Sequence, residues 1–172
     1  MYSQHKHNKW EPLHGNALLD TVSAISTFEH SNSTYIARKV DMPIESNAAV
    51  IMFYGTDAEN EAATMGLYGR AAANGPILTL WTGVVTLGAR VVTNDPITGA
   101  ALTAYWADTI TSVYDEGPYD VTLRNEAADD TDAFLMLDLP GIHDVHLQFT
   151  TKTSVASIGG ILLPIFRYQR TS

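Results

Sequence analysis

From about Leu18 onward, apolar and polar residues alternate along the chain with a period of two. Val121 and Leu123 alternate with Asp120, Thr122 and Arg124, and Val145, Leu147 and Phe149 with Asp144, His146 and Gln148. Thr34, Ile36, Val40 and Met42 share one face with Arg38 between them, and Leu102, Ala104, Trp106 and Ile110 share another that Asp108 interrupts. Successive side chains of an extended backbone point to opposite sides, so these stretches predict half-buried β-strands. Threonine and valine are abundant in them, as a pleated surface favours. The runs Ala48 to Tyr54, Ala133 to Leu139 and Ile161 to Phe166 are instead apolar on both faces. They predict central strands, or strands that a partner covers.

Turn signals separate the runs: Gly55-Thr56-Asp57, Asn74-Gly75-Pro76, Asn94-Asp95-Pro96 with Gly99, Glu116-Gly117-Pro118, Pro140-Gly141 and Gly159-Gly160. Each supplies a residue that tolerates positive φ or fixes φ near −65° where a chain reverses. Gly83 and Gly88 fall inside the long run 77–93 and predict bulges or a bend between sheets. Helical signals are thin. Leu18, Leu19, Val22 and Ile25 have helical spacing after Asn16, yet Val22, Ala24 and Phe28 also alternate; Asp57 to Met65 has room for a single turn. About eight to ten short strands with polar turns predict an all-β, jelly-roll-like antiparallel β-sandwich, with a barrel of similar strand count as the alternative. Residues 1–17 read differently, polar and histidine-rich with Pro12 and Gly15 as breakers, and predict an extended N-terminal arm ahead of a sandwich domain over 18–172.

Composition narrows the function. The 172 residues contain no cysteine, which excludes disulfides, cysteine-ligated metal centres and a cysteine nucleophile. Nineteen acidic against ten basic side chains give a net charge of −9, the reverse of a nucleic-acid binder's basic stripe. Eleven of the acids but only Arg124 and Lys152 lie within 91–166, so that segment holds the whole −9 and the remainder balances at eight against eight. No apolar h-region follows the basic first residues and no apolar run approaches the ~20 residues of a membrane span, so neither secretion through a signal peptide nor a membrane partner is expected. Asn32-Ser33-Thr34 is then a glycosylation sequon by chance.

Reactive constellations are sparse. Ser157 precedes Ile158-Gly159, but Val155 occupies the place of the first glycine of a nucleophile elbow. Asp144 and His146 fall on one face of a strand about 6.5 Å apart, where a carboxylate and an imidazole suit metal ligation or proton transfer. Two ligands do not close a site, and the simpler expectation is a solvated strand face, with His143 on the core side. Asp57 to Glu61 and Asp129 to Asp132 are acidic loops without the ligand spacing of a calcium loop. His5, His7 and His14 form only a loose metal-binding tract. Trp10, Trp81, Trp106, Tyr54, Tyr68, Tyr105, Tyr114 and Tyr119 are scattered over several strands and fit a core or oligomer interface better than a sugar-stacking platform. No catalytic residue, metal or cofactor is expected, and the chain reads as non-enzymatic.

The stretch Ile51 to Gly69, I-M-F-Y-G-T-D-A-E-N-E-A-A-T-M-G-L-Y-G, with Asn74-Gly75-Pro76 and Thr82-Gly83 after it, resembles small structural proteins of tailed bacteriophages, the capsid decoration or cement proteins. The likeness covers about 50 residues and breaks after Tyr68-Gly69, where Arg70-Ala71 replace an Arg-Trp pair. It implies a jelly-roll-like sandwich that assembles as a homotrimer on the virion surface and bridges neighbouring subunits of the major capsid protein. The residues expected at capsid or oligomer contacts are Trp10 and Leu13 of the arm and Ile161, Leu163, Ile165 and Phe166 of the last strand. A glycan-binding module of a tail or fibre, and a head-completion or tail protein, are the alternatives.

Overall fold

The computed structural model describes residues 9–13, 39–56, 62–114, 121–124, 133–152 and 158–166. Alternation decides their conformation: they form ten strands and, among the described residues, no helix. The strands are β1 (Glu11–Pro12), β2 (Val40–Asp41), β3 (Ala48–Gly55), β4 (Ala62–Arg70), β5 (Leu78–Asn94), β6 (Ala101–Tyr114), β7 (Val121–Arg124), β8 (Phe134–Asp138), β9 (Asp144–Lys152) and β10 (Ile158–Ile165). All pairings are antiparallel, in the order β1-β10-β3-β6-β5-β4-β9-β2. β8 joins the same edge of β3 as β6, and β7 pairs with β8. The sheet curls until it is nearly closed into a barrel-like sandwich, with a seam between β9 and the β10–β1 edge.

One core fills the interior. Ala49, Ile51 and Phe53 of β3, Met65 and Leu67 of β4, Leu80, Trp81, Val85 and Leu87 of β5, and Val145 and Leu147 of β9 all belong to it. Val40 and Met42 join it from the β2 segment, on one face as their spacing requires. A smaller cluster lies on the other side of β3 and β10, formed by Tyr54, Val92, Ala104 and Ile161 with Trp10, Met52, Ile97, Leu102 and Trp106 against it. Tyr54 and Trp106 are cross-strand partners whose rings stand 5.5 Å apart, tilted by 58°.

Register shifts along the long β5–β6 hairpin direct it between these clusters. Thr86 faces Thr109 and Leu87 faces Ala107, which leaves Asp108 as the extra residue on β6. The side-chain phase changes there, so Ala107 and Ile110 enter the main core while Leu102, Ala104 and Trp106 enter the outer cluster. The single face expected over Leu102 to Ile110 is therefore split between two faces. Gly83 and Gly88 lie beside register shifts, as expected of in-strand glycines. A β-carbon on Gly83 would sit 2.3 Å from Trp81 Cζ2 and 2.4 Å from the Thr111 carbonyl oxygen, so only glycine lets the indole lie there. Trp81 Nε1 then donates to Ser112 Oγ at 2.9 Å. At the hairpin tip, Asp95 Oδ1 accepts from the Ile97 and Thr98 amides at 2.8 Å each, and Gly99 takes φ +70°. Gly141 takes φ +74° at the Pro140-Gly141 turn.

Of the arm expected over 1–17, the described residues 9–13 are extended and lie on the chain's own sheet as β1. The boundary at 17/18, the Leu18–Phe28 alternation, Thr34 to Arg38, the sequon, Ser157, the loops 57–61 and 129–132, Tyr119 and His5, His7 and His14 lie outside the described residues. Within those residues, no helix is long and apolar enough to cross a membrane.

Candidate functional site

The polar face expected on β9 is present, but it is not solvated. Asp144, His146 and Gln148 are buried at 0%, 4% and 5% exposure, and Val145 and Leu147 on the opposite face are also buried. β9 pairs with β4 along its length and with β2 at Asp144 and Val145, and the Arg70 and His143 side chains close on the Asp144 carboxylate. Asp144 is opposite Arg70 on one side and Asp41 on the other.

Burying a carboxylate without partners is costly, so its surroundings decide whether it can be held. Arg70 Nε donates to Asp144 Oδ1 at 3.0 Å and to Oδ2 at 3.2 Å, and Nη2 donates to Oδ2 at 2.8 Å. This planar two-nitrogen grip is the geometry in which arginine recognises a carboxylate best. His143 Nδ1 lies 2.9 Å from Oδ2, and since a carboxylate only accepts, that nitrogen carries the proton. His146 Nε2 lies 3.3 Å from Oδ1. Burial alone would push the Asp144 carboxyl up; the hydrogen bonds from Arg70 and His143 and the charges of Arg70 and His146 together hold it below the ordinary carboxylate range. The same bond to Asp144 raises Arg70 further, so the guanidinium stays charged. The His143 backbone ties the neighbours together: its amide donates to the Arg70 carbonyl at 2.7 Å and its carbonyl accepts from the Met42 amide at 2.8 Å.

The sequence singled out Asp144, His143 and His146 but put His143 on the core side, whereas its side chain is 42% exposed. It missed Arg70, whose partner is 74 residues away and which no local pattern marks. Asp41, His143 and Asp144 each bring a ligand atom within 4.8 Å of the others. The donor set does not suit a divalent cation. Arg70 already bridges both Asp144 oxygens, and Lys39 Nζ lies 2.9 Å from Asp41 Oδ1, so an ion would have to displace two resident cations. What this cluster can do is clamp β2, β4 and β9 together.

The second candidate surface is on β10, β3 and β8. The three runs that read as apolar on both faces are adjacent, in the order β10–β3–β8. Ile161, Met52 and Phe134 form one cross-strand row, and Leu163, Val50 and Met136 the next. Their neighbours Leu162, Ile51 and Leu135 belong to the main core, so these rows face outward. Met52, Phe134, Val50, Met136 and Leu163 are only half-buried. Farther along, Ile165 is half-buried, Phe166 is 54% exposed and Ile44 is fully exposed.

The six expected contact residues gather along β1 and β10. Trp10 packs on the outer cluster beside Ile161, and Leu163, Ile165 and Phe166 continue along the strand. Leu13 and Ile161 are buried at 0% and 3% exposure by contacts within the fold. Backbone direction adds a further constraint. The Leu13 amide donates to the Gly160 carbonyl at 2.8 Å, so in antiparallel alternation residues 160, 162 and 164 of β10 turn their polar groups toward β1. Pro164 therefore puts its missing N–H on that edge, and Pro12 puts its own on the outer side of β1. Both prolines blunt the edge against a further strand. Among the aromatics, Trp81 and Tyr54 are fully buried and so are unavailable to stack on a sugar.

No family model matches this chain, and no curated protein or solved structure matches it either.

Proposed function

We propose that this chain is a non-enzymatic structural protein of a bacteriophage head, a homotrimeric decoration or cement protein with jelly-roll-like wrapping that bridges neighbouring major capsid subunits. The observation that carries the reading is the outward apolar face of β10–β3–β8, three strands that each have a second apolar side beyond the one filling the core. A contiguous apolar face of this kind is the feature of a soluble chain that most often marks a protein contact. The likeness of Ile51 to Gly69 to decoration proteins supplies the kind of partner. The nested pairing of β3 with β10 and β4 with β9 is in keeping with a jelly-roll-like path. Adhesion works by removing apolar surface from water, at about 25 cal/mol per Å². Because the chain has no cysteine, particle reinforcement by it relies on such contacts and not on disulfides.

The test mixes the purified chain with heads assembled from the major capsid protein encoded in the same genome. Co-sedimentation, raised heat resistance of the particle and a trimeric mass are expected, and Leu163→Asp should abolish the first two while the free chain stays folded. Equal binding by Leu163→Asp removes the β10–β3–β8 face from the reading, and no binding by the unaltered chain removes the reading itself.

A further inference from the structure

The distal half of the β5–β6 hairpin is a stiff segment on an interrupted base. At the tip, Asp95 Oδ1 accepts from the Ile97 and Thr98 amides at 2.8 Å each, the Gly99 amide donates to the Asp95 carbonyl at 2.9 Å, and the Asp95 amide donates to the Ala100 carbonyl at 2.8 Å. Below the tip, Asn94 faces Ala101 and Val92 faces Ala104. At the base the ladder breaks. Leu87 faces Ala107 and Val91 faces Tyr105, so Gly88, Ala89 and Arg90 stand opposite Trp106 alone. Surplus residues in one strand disrupt the ladder locally and bend the strand. Ala89, Arg90 and Val91 are all exposed, so the core does not stiffen this bend. On the β6 side, Tyr105 and Trp106 stay paired with Gly55 and Tyr54 of β3, which fixes where the free part of the hairpin begins.

Val92 and Ala104 are buried with Tyr54 and Ile161 in the outer cluster, and Ile97 and Leu102 lean on it. No residue of 91–104 belongs to the main core, whereas Ala107, farther along β6, does. Lifting 91–104 therefore leaves the main core covered, the condition under which one part of a fold opens separately from the rest. The tip is tied to the sheet by the Tyr54 hydroxyl, which donates to Asp95 Oδ2 at 3.4 Å, a long and readily broken hydrogen bond. Beneath the segment, Ile161 shares its cross-strand row with Met52 and Phe134. We propose that residues 91–104 are a flap that swings on the bulge at 88–90, latched shut by Tyr54 and Asp95. Lifting it uncovers Tyr54 and Ile161 and lengthens the apolar face of β10–β3–β8; the role in docking rests on the reading of that face as the capsid contact. A capsid subunit that needs the longer face binds only the open fraction, so the latch sets the rate of docking.

The absence of native cysteine makes thiol labelling a direct test. Ala104→Cys and Ala107→Cys place single thiols on β6 at positions 0% and 1% exposed, the first in the outer cluster and the second in the main core. A flap predicts that Ala104→Cys labels at least about a hundredfold faster than Ala107→Cys, with little dependence on urea because its opening exposes little surface. Tyr54→Phe keeps the ring and removes the latch; it should speed labelling at 104 about tenfold and at 107 far less. Val92→Cys repeats the readout if Ala104→Cys does not fold. Equal, steeply urea-dependent rates at 104 and 107 overturn the flap, and an unchanged rate at 104 in Tyr54→Phe overturns the latch. In the docking assay, Tyr54→Phe should associate with heads about tenfold faster than the unaltered chain, and equal rates overturn the gating. If the unaltered chain does not bind heads, the docking reading fails, while the flap is still decided by labelling of the free chain.

Discussion

Replacing Arg70 with methionine asks whether the polar cluster on β9 is held together by one interaction or by many. The change keeps side-chain length and removes the three donor contacts of 3.0, 3.2 and 2.8 Å to Asp144. Asp144 is 0% exposed, so water cannot replace them. Leaving one member of a buried ion pair uncompensated costs about 3–5 kcal/mol, and His143 and His146 remain to offset part of it, so we expect about 3 kcal/mol. In a domain of this size that lowers Tm by about 6–12 °C. The pH dependence carries a distinct sign. In the unaltered chain the Asp144 carboxyl is held below its unfolded value, so its contribution is fully present above the ordinary carboxylate range and is lost only as pH falls through the lower folded value. Without Arg70, burial is left as the largest influence and lifts the carboxyl, which makes the ionised form the destabilised one. The stability gap between variant and unaltered chain should therefore be widest at neutral pH and shrink as acid protonates Asp144. Urea unfolding from pH 7 to pH 4 measures the gap, and the Arg70→Met/Asp144→Leu double variant, which buries no lone charge, should recover most of the loss. A gap under about 1 kcal/mol at pH 7, or one that does not change with pH, refutes the clamp.

Other outcomes follow from single side chains. Leu13→Ala removes a side chain packed in the main core beside Gly160 and should cost about 2–5 kcal/mol in urea unfolding, whereas a side chain that contributes nothing would leave the midpoint unchanged. Gly83→Ala sets a methyl against both Trp81 and the Thr111 carbonyl and should cost about 3 kcal/mol with a shift in tryptophan emission; an unaltered spectrum would mean that the strand yields there. The Tyr54 hydroxyl is pushed up by burial and by nearby Asp95, whose Oδ2 it donates to at 3.4 Å. Because the folded value is raised, this contribution to stability is complete below the ordinary tyrosine pKa and is lost as pH rises toward the folded value. Phenolate absorbance should show Tyr54 ionising later than ordinary tyrosines and only with alkaline unfolding, and Asp95→Asn should narrow the delay.

Much of the strand content could be read from the residues because alternation is a local property. One face of water and one of core impose a period of two wherever they occur, and β2, β3, β5, β6, β8, β9 and β10 fall in or beside runs that carry it or are apolar throughout. Glycine and proline marked the turns at 95–99 and 140–141 and the bulges of β5 for an equally local reason, the backbone angles and the space they permit. The same alternation misled twice. It marked an interruption at Asp108 but could not show that a bulge there shifts the phase, and it cannot distinguish a polar face in water from one that other side chains cover, so Asp144 and His146 read as solvated.

Composition and pattern by themselves determined an all-β, acidic, cysteine-free chain with three strands apolar on both sides. Tertiary structure decided that those three strands are neighbours, so that scattered half-hydrophobic residues become one face. It decided that Arg70 meets Asp144 across 74 residues, and that Leu13 packs in the main core. The division has one physical cause. Whether a residue is extended depends on its immediate neighbours, whereas what it touches depends on which distant strands share its sheet, and no short stretch of sequence contains that pairing.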